Sequence, residues 1–495
     1  MKLLGIDLGS SSIKVAVVDS ESGKCLGNEQ YPKTEMAIQS PQPGWAEQDP
    51  ENWWQVLKDA LLLLKKRVDL SDIGAIGIAY QMHGLVAIDA DQHLVRPSII
   101  WCDSRAVNQG DAAFAKIGSN KALSTLLNSP GNFTASKLGW VKHHEPEKFE
   151  QIKHIMLPGD YLAMKLSGAV QTTASGLSEG IFWDFQSRSL SEDVIDSFGF
   201  EAALIPELVP NIGIQCQVSS SAADELGIPA GIPIAYRAGD QPNNALSLNV
   251  FEPGEVATTA GTSAVIYAVD DQNRFDPTQR VNSFLHVIDT LENPRNGVLL
   301  CVNGCGILYS WLRQVLSTSA PLMGYDQMNQ EAAKASIGSE GLQFFPFGNG
   351  AERLLGNQNV FAHLHQLDLN RHDRPHLIRA AQEGIVFAMN YGLEVFQEMG
   401  IDVMVMKAGM ANLFQSDLFQ SVFVNTTGVP LQLLETDGAE GAARAAGVGI
   451  GNWSRKEAFD NLKEIKTIEP NAVDQSAYTD AYQDWKNNLA HFIKH

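Results

Sequence analysis

Leu3-Leu4-Gly5-Ile6-Asp7-Leu8-Gly9-Ser10-Ser11-Ser12-Ile13-Lys14-Val15-Ala16-Val17-Val18-Asp19 lies at the start of the sequence. Two apolar runs flank a turn of glycine and three serines. The pattern predicts a strand over 3–6 and its antiparallel return over 13–18. Asp7 stands at the end of the first strand, facing the turn. Gly9, Ser10, Ser11 and Ser12 leave the turn without bulk, and its backbone N–H groups and hydroxyls can converge on an anion. A carboxylate beside them repels a bare phosphate, so Asp7 fits such a turn only if a cation bridges the two. Mg²⁺ suits that place, because it takes a carboxylate, waters and phosphate oxygens together. The same residues also make an ordinary tight hairpin. No Gly-x4-Gly-Lys-Ser/Thr loop occurs in the chain.

Beyond the hairpin, Lys24 to Tyr31 can add a third strand. Asp49 and Pro50 have the chemistry of a helix cap and first position, followed by an apolar stripe through Trp53, Leu57, Leu61 and Leu64. Ile73 to Ala79 reads as a strand that ends in Tyr80-Gln81-Met82-His83-Gly84, where open α/β sheets bind ligands. Trp101, Asp103 and Arg105 form another polar strand end; the last two either pair with each other or line a polyol pocket. Thr172 to Gly176 and Phe345 to Arg353 read as loops. Ile234 to Ala238 is a strand running into Gly239-Asp240-Gln241-Pro242, where Asp240 is either a helix cap or a base for a substrate hydroxyl, with Gln241 orienting another.

Gly254 to Val269 repeats the opening pattern: strand, a small turn at Gly261-Thr262-Ser263, strand. Two such hairpins imply two related α/β domains facing a central cleft, each gripping one side of a nucleotide's phosphates. The Gly/Pro-rich connector at 227–233 puts the boundary between 1–235 and 236–495. Val403 to Lys407 is a buried strand before Ala408-Gly409-Met410-Ala411-Asn412, a small-residue turn over which a planar base can lie. The small-residue helix Gly438 to Gly447 is expected to pack against that turn.

The chain has 495 residues, room for two or three domains. Its 36 Lys and Arg stand against 57 Asp and Glu, a net charge of -21, which argues against non-specific binding of nucleic acid or an anionic membrane. The five cysteines are odd in number and contain no Cys-x-x-Cys, as expected of reduced thiols in a cytoplasmic protein. There is neither a signal-peptide pattern nor a transmembrane-length apolar run.

Taken in order, these segments resemble the FGGY carbohydrate kinases of the sugar kinase/Hsp70/actin superfamily, over nearly the whole chain. The marks are Gly5-Ile6-Asp7-Leu8-Gly9, Trp45-Ala46-Glu47-Gln48-Asp49-Pro50, Gln81-Met82-His83-Gly84, Gly239-Asp240-Gln241 and Gly261-Thr262-Ser263. Gln-Met-His-Gly is the form that the xylulokinases of this family carry. The resemblance implies two ribonuclease H-like α/β domains, ATP with Mg²⁺, and phosphorylation of a ketopentose, D-xylulose first. Ribulose, fuculose, gluconate or a polyol is the alternative substrate, and a non-catalytic sugar sensor is the alternative protein. It further implies Asp240 as catalytic base and Asp7 beside the metal. Met82, His83, Asp240, Gln241 and Trp101 are the expected sugar contacts. Gly9, Ser10, Ser11, Ser12, Lys14, Gly261, Thr262, Ser263, Gly304, Gly409 and Asn412 are the expected nucleotide contacts. Family members are often homodimers. The chain departs from the family's usual Gly-Glu-Arg-Thr-Pro, because Glu352-Arg353 is followed by Leu354-Leu355.

Overall fold

Lys2–Leu8 (β1) and Ile13–Asp19 (β2) pair antiparallel, and Cys25–Tyr31 (β3) continues the sheet beyond β2. On the other side of β1 lies Ile73–Tyr80 (β4), parallel to it, then Pro233–Gly239 (β6), again parallel, and Ile212–Gln217 (β5), antiparallel at the edge. The spatial order is β3-β2-β1-β4-β6-β5. This computed structural model describes residues 1–317, 320–460 and 462–493.

The chain divides into two compact units. The first comprises Met1–Asn249, Phe284–Asn296 and Thr436–Leu462. The second comprises Val250–Ser283, Gly297–Glu435 and Lys463–His495. The boundary expected at 235/236 is therefore corrected. It would cut β6, whose hydrogen bonds to β4 make it an integral strand of the first sheet.

Both faces of the first sheet are covered, which explains why β1 reads as a continuous apolar run and not as an alternation. Leu4, Ile6 and Leu8 join a core with Trp53, Leu57, Leu61 and Leu64 of the Pro50–Leu64 helix. That helix begins as its sequence predicts, with Asp49 accepting the Glu51 N–H at 3.0 Å. Leu3, Gly5 and Asp7 alternate onto the opposite face, where the Gly438–Gly449 helix lies. This helix sits so close that a Cβ on Gly5 would fall 1.8 Å from the Ala439 carbonyl oxygen, and one on Gly77 would fall 2.0 Å from that of Ala442. The helix expected against the Gly409 turn instead belongs to the first unit, because glycines in β1 and β4 open a seat for its backbone.

A second sheet, of seven strands, repeats the hairpin and the strands on one side of it. Glu255–Ala260 (β7) and Ala264–Asp270 (β8) form its hairpin. Asn282–Leu285 (β9), Asn296–Val302 (β10), Val405–Gly409 (β11), Leu431–Glu435 (β12) and Lys463–Ile468 (β13) complete a sheet ordered β9-β10-β8-β7-β11-β12-β13. As in the first sheet, the hairpin's first strand has a parallel neighbour, followed by a second parallel strand and an antiparallel edge strand. The core beside it is built from the Arg374–Glu398 and Ala472–Leu489 helices, with Trp485 fully buried and donating its indole N–H to the Phe344 carbonyl at 2.9 Å.

Two segments read as loops are ordered elements. Gln171–Thr173 is a short strand whose Thr173 caps the Ala174–Glu179 helix by accepting the Gly176 N–H. Gln343–Phe347 is a buried strand paired with Phe361–His365, its period hidden because every residue is apolar or buried. The Asp103–Arg105 alternative resolves as an ion pair, buried and bidentate at 2.7–3.0 Å. The five cysteines are free thiols. Among the described residues, no helix is long and apolar enough to cross a membrane.

Replacing Gly77 with Ala tests the helix seat. A methyl group in a β-strand should stabilise it by roughly 0.5–1 kcal/mol relative to glycine. Overpacking against the Ala442 carbonyl reverses the sign, so urea unfolding of Gly77→Ala should show a loss of about 2–3 kcal/mol.

Candidate active site

Leu8, Tyr80 and Gly239 end three neighbouring parallel strands in register, with Asp7 one residue before the first end: Asp7 lies opposite Ala79, Leu8 opposite Tyr80, and Gly239 opposite Tyr80. The chain therefore delivers Asp7 from β1, Met82 and His83 from just past β4, and Asp240 and Gln241 from just past β6 to one edge of one sheet. This is the carboxyl edge, where α/β folds bind ligands. Met82 is buried against Gly239; a Cβ there would meet its Cγ at 2.6 Å. Gly239 takes the cap position of the Asp240–Ser247 helix, Asp240 is its first residue, and no side chain caps it. The plain helix-cap reading of Asp240 is thereby removed.

The carboxyls at this edge outnumber the nearby cations. Asp7 is held at about 6, raised by burial and by Asp437 and opposed by Lys14. Asp240 is pushed up to about 7, first by burial and then by the Asp7 charge, against the opposing pull of Gln241. Each keeps an accessible face. Asp7 rests on the first residue of the Gly438–Gly449 helix: a Cβ on Gly438 would lie 2.5 Å from its Oδ2. Asn243 donates to the Gly438 carbonyl at 2.9 Å, and Asp437 caps the helix through the Glu440 N–H.

Sequence reading missed four residues here. Asp437 and Gly438 come from almost 200 residues further along the chain than Asp240. Glu179, buried beside Tyr80 with its carboxyl raised well above the usual range, lies 2.7 Å from where a Gly239 Cβ would be. Lys137, fully buried, donates to the His83 carbonyl at 2.7 Å. The only sequence signal for these was the Asp-Gly pair opening a small-residue helix.

The hairpin turn is held from outside. Gly9 donates to the Ser12 carbonyl at 3.0 Å and Gln48 Nε2 to the Ser10 carbonyl at 2.6 Å, while Met36 donates to the Ser11 carbonyl. The Ser12 hydroxyl is engaged by Gln30 at 2.9 Å. Trp101 is 53% exposed and donates its indole N–H to Ser10 Oγ at 3.3 Å. It thus stands over the turn, whereas His83 lies among Phe133 and Phe284.

The second unit gathers its own set. Gly306 and Ile307, opening the Gly306–Leu316 helix, donate to the Gly261 and Thr262 carbonyls at 2.8 and 3.2 Å. Asn412 approaches Gly261 from the end of β11, where Gly409 ends the strand. The Ser263 hydroxyl donates to the Asn303 carbonyl at 3.4 Å. Gly304 is buried, its Cα pressed against the Pro346 carbonyl. Fully buried Glu352 accepts the Asn303 N–H through both oxygens at 3.1 Å. The departure after Glu352-Arg353 thus leaves this anchoring carboxylate in place.

Two α/β units of shared topology, each carrying polar side chains on the carboxyl edge of its hairpin sheet, define the class as the sugar kinase/Hsp70/actin fold. Comparison with known proteins narrows this. Residues 2–247 match the FGGY family of carbohydrate kinases, N-terminal domain. The xylulose kinase of Escherichia coli (strain K12) is 28% identical over 492 residues, covering 97% of this chain and 96% of that protein. The crystal structure of xylulose kinase from Rhodospirillum rubrum aligns with a TM-score of 0.88 at 24% identity, over 99% of each chain. Plasmodium falciparum glycerol kinase with ADP aligns at 0.87 and 19% identity, over 100% of this chain and 98% of that one. The chain belongs to the FGGY family of carbohydrate kinases, and it is a sugar kinase.

The raised carboxyls set a sign for stability. An acid whose folded pKa exceeds its unfolded value binds more protons in the native state, so stability falls as pH rises from about 4 through the folded pKa of about 7. Asp240→Asn removes that term. The variant should match wild type near pH 4 and exceed it at pH 8, by on the order of 1–2 kcal/mol in urea unfolding, given the partial exposure of the group.

Proposed function

We propose that the protein transfers the γ-phosphate of ATP to a terminal hydroxyl of a ketopentose, D-xylulose, giving D-xylulose 5-phosphate. The observation that carries this reading is the convergence of Asp240, Gln241, Met82 and His83 with Asp7 on one sheet edge. His83 and Gln241 bind the sugar hydroxyls and Met82 packs beside them. Asp240 accepts the proton of the attacking hydroxyl. A base poised near 7 combines an ionised fraction at neutral pH with useful basicity. Phosphoryl transfer requires mainly positioning and charge stabilisation, so one base and a phosphate cradle suffice.

The set Gly261, Thr262, Ser263, Gly304, Gly409 and Asn412 receives the nucleotide, with Gly9, Ser10, Ser11, Ser12 and Lys14 as a second group of donors. The donor set also fits a divalent cation: burial raises both Asp7 and Asp240 toward neutrality, helped at Asp7 by the Asp437 charge against Lys14 and at Asp240 by the Asp7 charge. Mg²⁺ would be held through Asp7, where its charge would offset that of the phosphates. Trp101, over Ser10, is assigned to the rim of the sugar site. A kinase for glycerol or another polyol is the second reading, favoured by the glycerol kinase likeness in fold.

ADP release with Mg²⁺ and ATP, measured against D-xylulose, L-xylulose, D-ribulose, L-fuculose, glycerol and gluconate, should show one strong preference, for D-xylulose. Preference for another sugar would overturn the substrate assignment. Asp240→Asn should lower kcat by roughly 10²–10⁴-fold while D-xylulose binding remains measurable by calorimetry. Turnover like that of wild type would remove Asp240 from the role of base.

A further inference from the structure

Two motif glutamines, Gln48 and Gln81, are buried and bonded to each other. Gln48 lies on the short strand Glu47–Gln48, paired antiparallel with Ser98–Ile99. Its neighbour Glu47 is tied down by Arg96 and Arg105, each at 2.6 Å. A primary amide offers two hydrogens and an oxygen with two lone pairs. In Gln48 all four are engaged. Oε1 accepts from Trp53 Nε1 and from Gln81 Nε2, both at 3.1 Å. Nε2 donates to the Ser10 carbonyl at 2.6 Å and to the Ala37 carbonyl at 3.4 Å.

These partners fix which way round the amide lies. An indole N–H only donates and a main-chain carbonyl only accepts. Turned over, the amide would set its hydrogens against the Trp53 indole and its oxygen against the Ser10 carbonyl. None of the four partners titrates.

The consequence falls on the hairpin turn. The Ser10–Ser11 peptide is trans. In a planar trans peptide the carbonyl and the N–H point in opposite directions. With the Ser10 oxygen drawn to Gln48, the Ser11 N–H faces away from it, and Ser11 is exposed. One peptide further on, the Met36 N–H holds the Ser11 carbonyl in the same manner, at 2.7 Å. Among the described residues, the Ser11 N–H meets no acceptor.

We propose that Gln48, locked by Trp53 and Gln81, is a positioning residue for the nucleotide's phosphates. It holds the Ser10 carbonyl back, so that the Ser11 N–H is presented to a phosphate oxygen. A donor set in advance needs no reorganisation when the charge arrives. The proposal rests on the sugar-kinase reading, with the hairpin turn as a phosphate contact.

Gln48→Met, Gln81→Met and the double variant test it. Gln48→Met keeps the length of the side chain and removes the donor; Gln81→Met removes one of the two locks. At saturating D-xylulose, kcat/KM for ATP should fall roughly 10-fold in Gln48→Met, the scale of a hydrogen bond lost with its partner left unpaired. D-Xylulose binding, measured by calorimetry without nucleotide, should stay as in wild type. Gln81→Met should lower kcat/KM for ATP by about three-fold, and should have no further effect in the Gln48→Met background, because it acts through Gln48. A merely structural brace would lower stability in urea and leave the kinetics of the folded protein alone. An unchanged kcat/KM for ATP in folded Gln48→Met therefore overturns the proposal, as do fully multiplicative effects or an equal loss of D-xylulose binding. If Gln48→Met does not fold, Gln81→Met decides: a lowered kcat/KM for ATP with D-xylulose binding intact supports the proposal, and an unchanged one overturns it. Absence of ADP release by the wild-type protein with D-xylulose and with every alternative acceptor overturns the sugar-kinase reading itself.

Discussion

The site depends on how closely the Gly438–Gly449 helix lies against the first sheet. Gly5 and Gly77 sit side by side in β1 and β4, and the helix backbone occupies the space their side chains would fill. The small residues Ala439, Ala442, Ala443 and Ala446 allow the same approach from the helix side. A larger residue on either surface would lift the helix and carry its first turn away from Asp7. The contact therefore does more than bury apolar area: it fixes where Asp437, Gly438 and the helix's N-terminal N–H groups meet the strand end. It also explains why a late segment of chain, Thr436–Leu462, belongs to the first unit.

From that placement follows the electrostatic character of the edge. Asp7 and Asp240 share it with Asp437 close by; burial raises the first two toward neutral pH, with the Asp437 charge adding at Asp7 and the Asp7 charge adding at Asp240. Glu179 and Asp160 lie deeper, with Arg237 fully buried and 3.3 Å from Asp160. A fold selected for stability alone would have little reason to gather so many carboxyls, since each ionised one costs desolvation. The arrangement becomes economical once a cation and a substrate proton are part of it. The raised pKa values are then consequences of a site prepared for charge that arrives with its ligands.

Much of this was legible in the sequence because it is local. The hairpin, the Asp49 cap, β4 and β6 announce themselves through turn chemistry and uninterrupted apolar runs, and the residues just past three strand ends were identifiable for the same reason. What sequence reading missed is what depends on tertiary packing. The boundary at 235/236 failed because a Gly/Pro connector resembles a linker, although β6 beyond it pairs with β4. The Gly438–Gly449 helix was legible as a helix, but its partner was set by glycines more than 350 residues away. Lys137 and Glu179 carry no pattern, since a buried lysine on an otherwise buried helix face cannot be told from a solvated one without knowing which face is inside.

The repeated hairpin shows how one motif supports two tasks. Counting back from each turn, the last strand pairs are Leu8–Ile13 and Ala260–Ala264, and the next are Asp7–Lys14 and Thr259–Val265. The first hairpin thus carries a carboxylate and an ammonium where the second carries a hydroxyl and a methyl-branched apolar residue. A turn with a fixed carboxylate receives phosphate oxygens only with a cation between them. A turn without one receives them directly through its N–H and hydroxyl groups. On the proposed reading, the metal belongs to the unit holding the base and sugar residues, and the second unit binds nucleotide through neutral donors. The two sheets share the hairpin, its two parallel neighbours and an antiparallel edge strand; the difference in task resides in two positions of the strand pair.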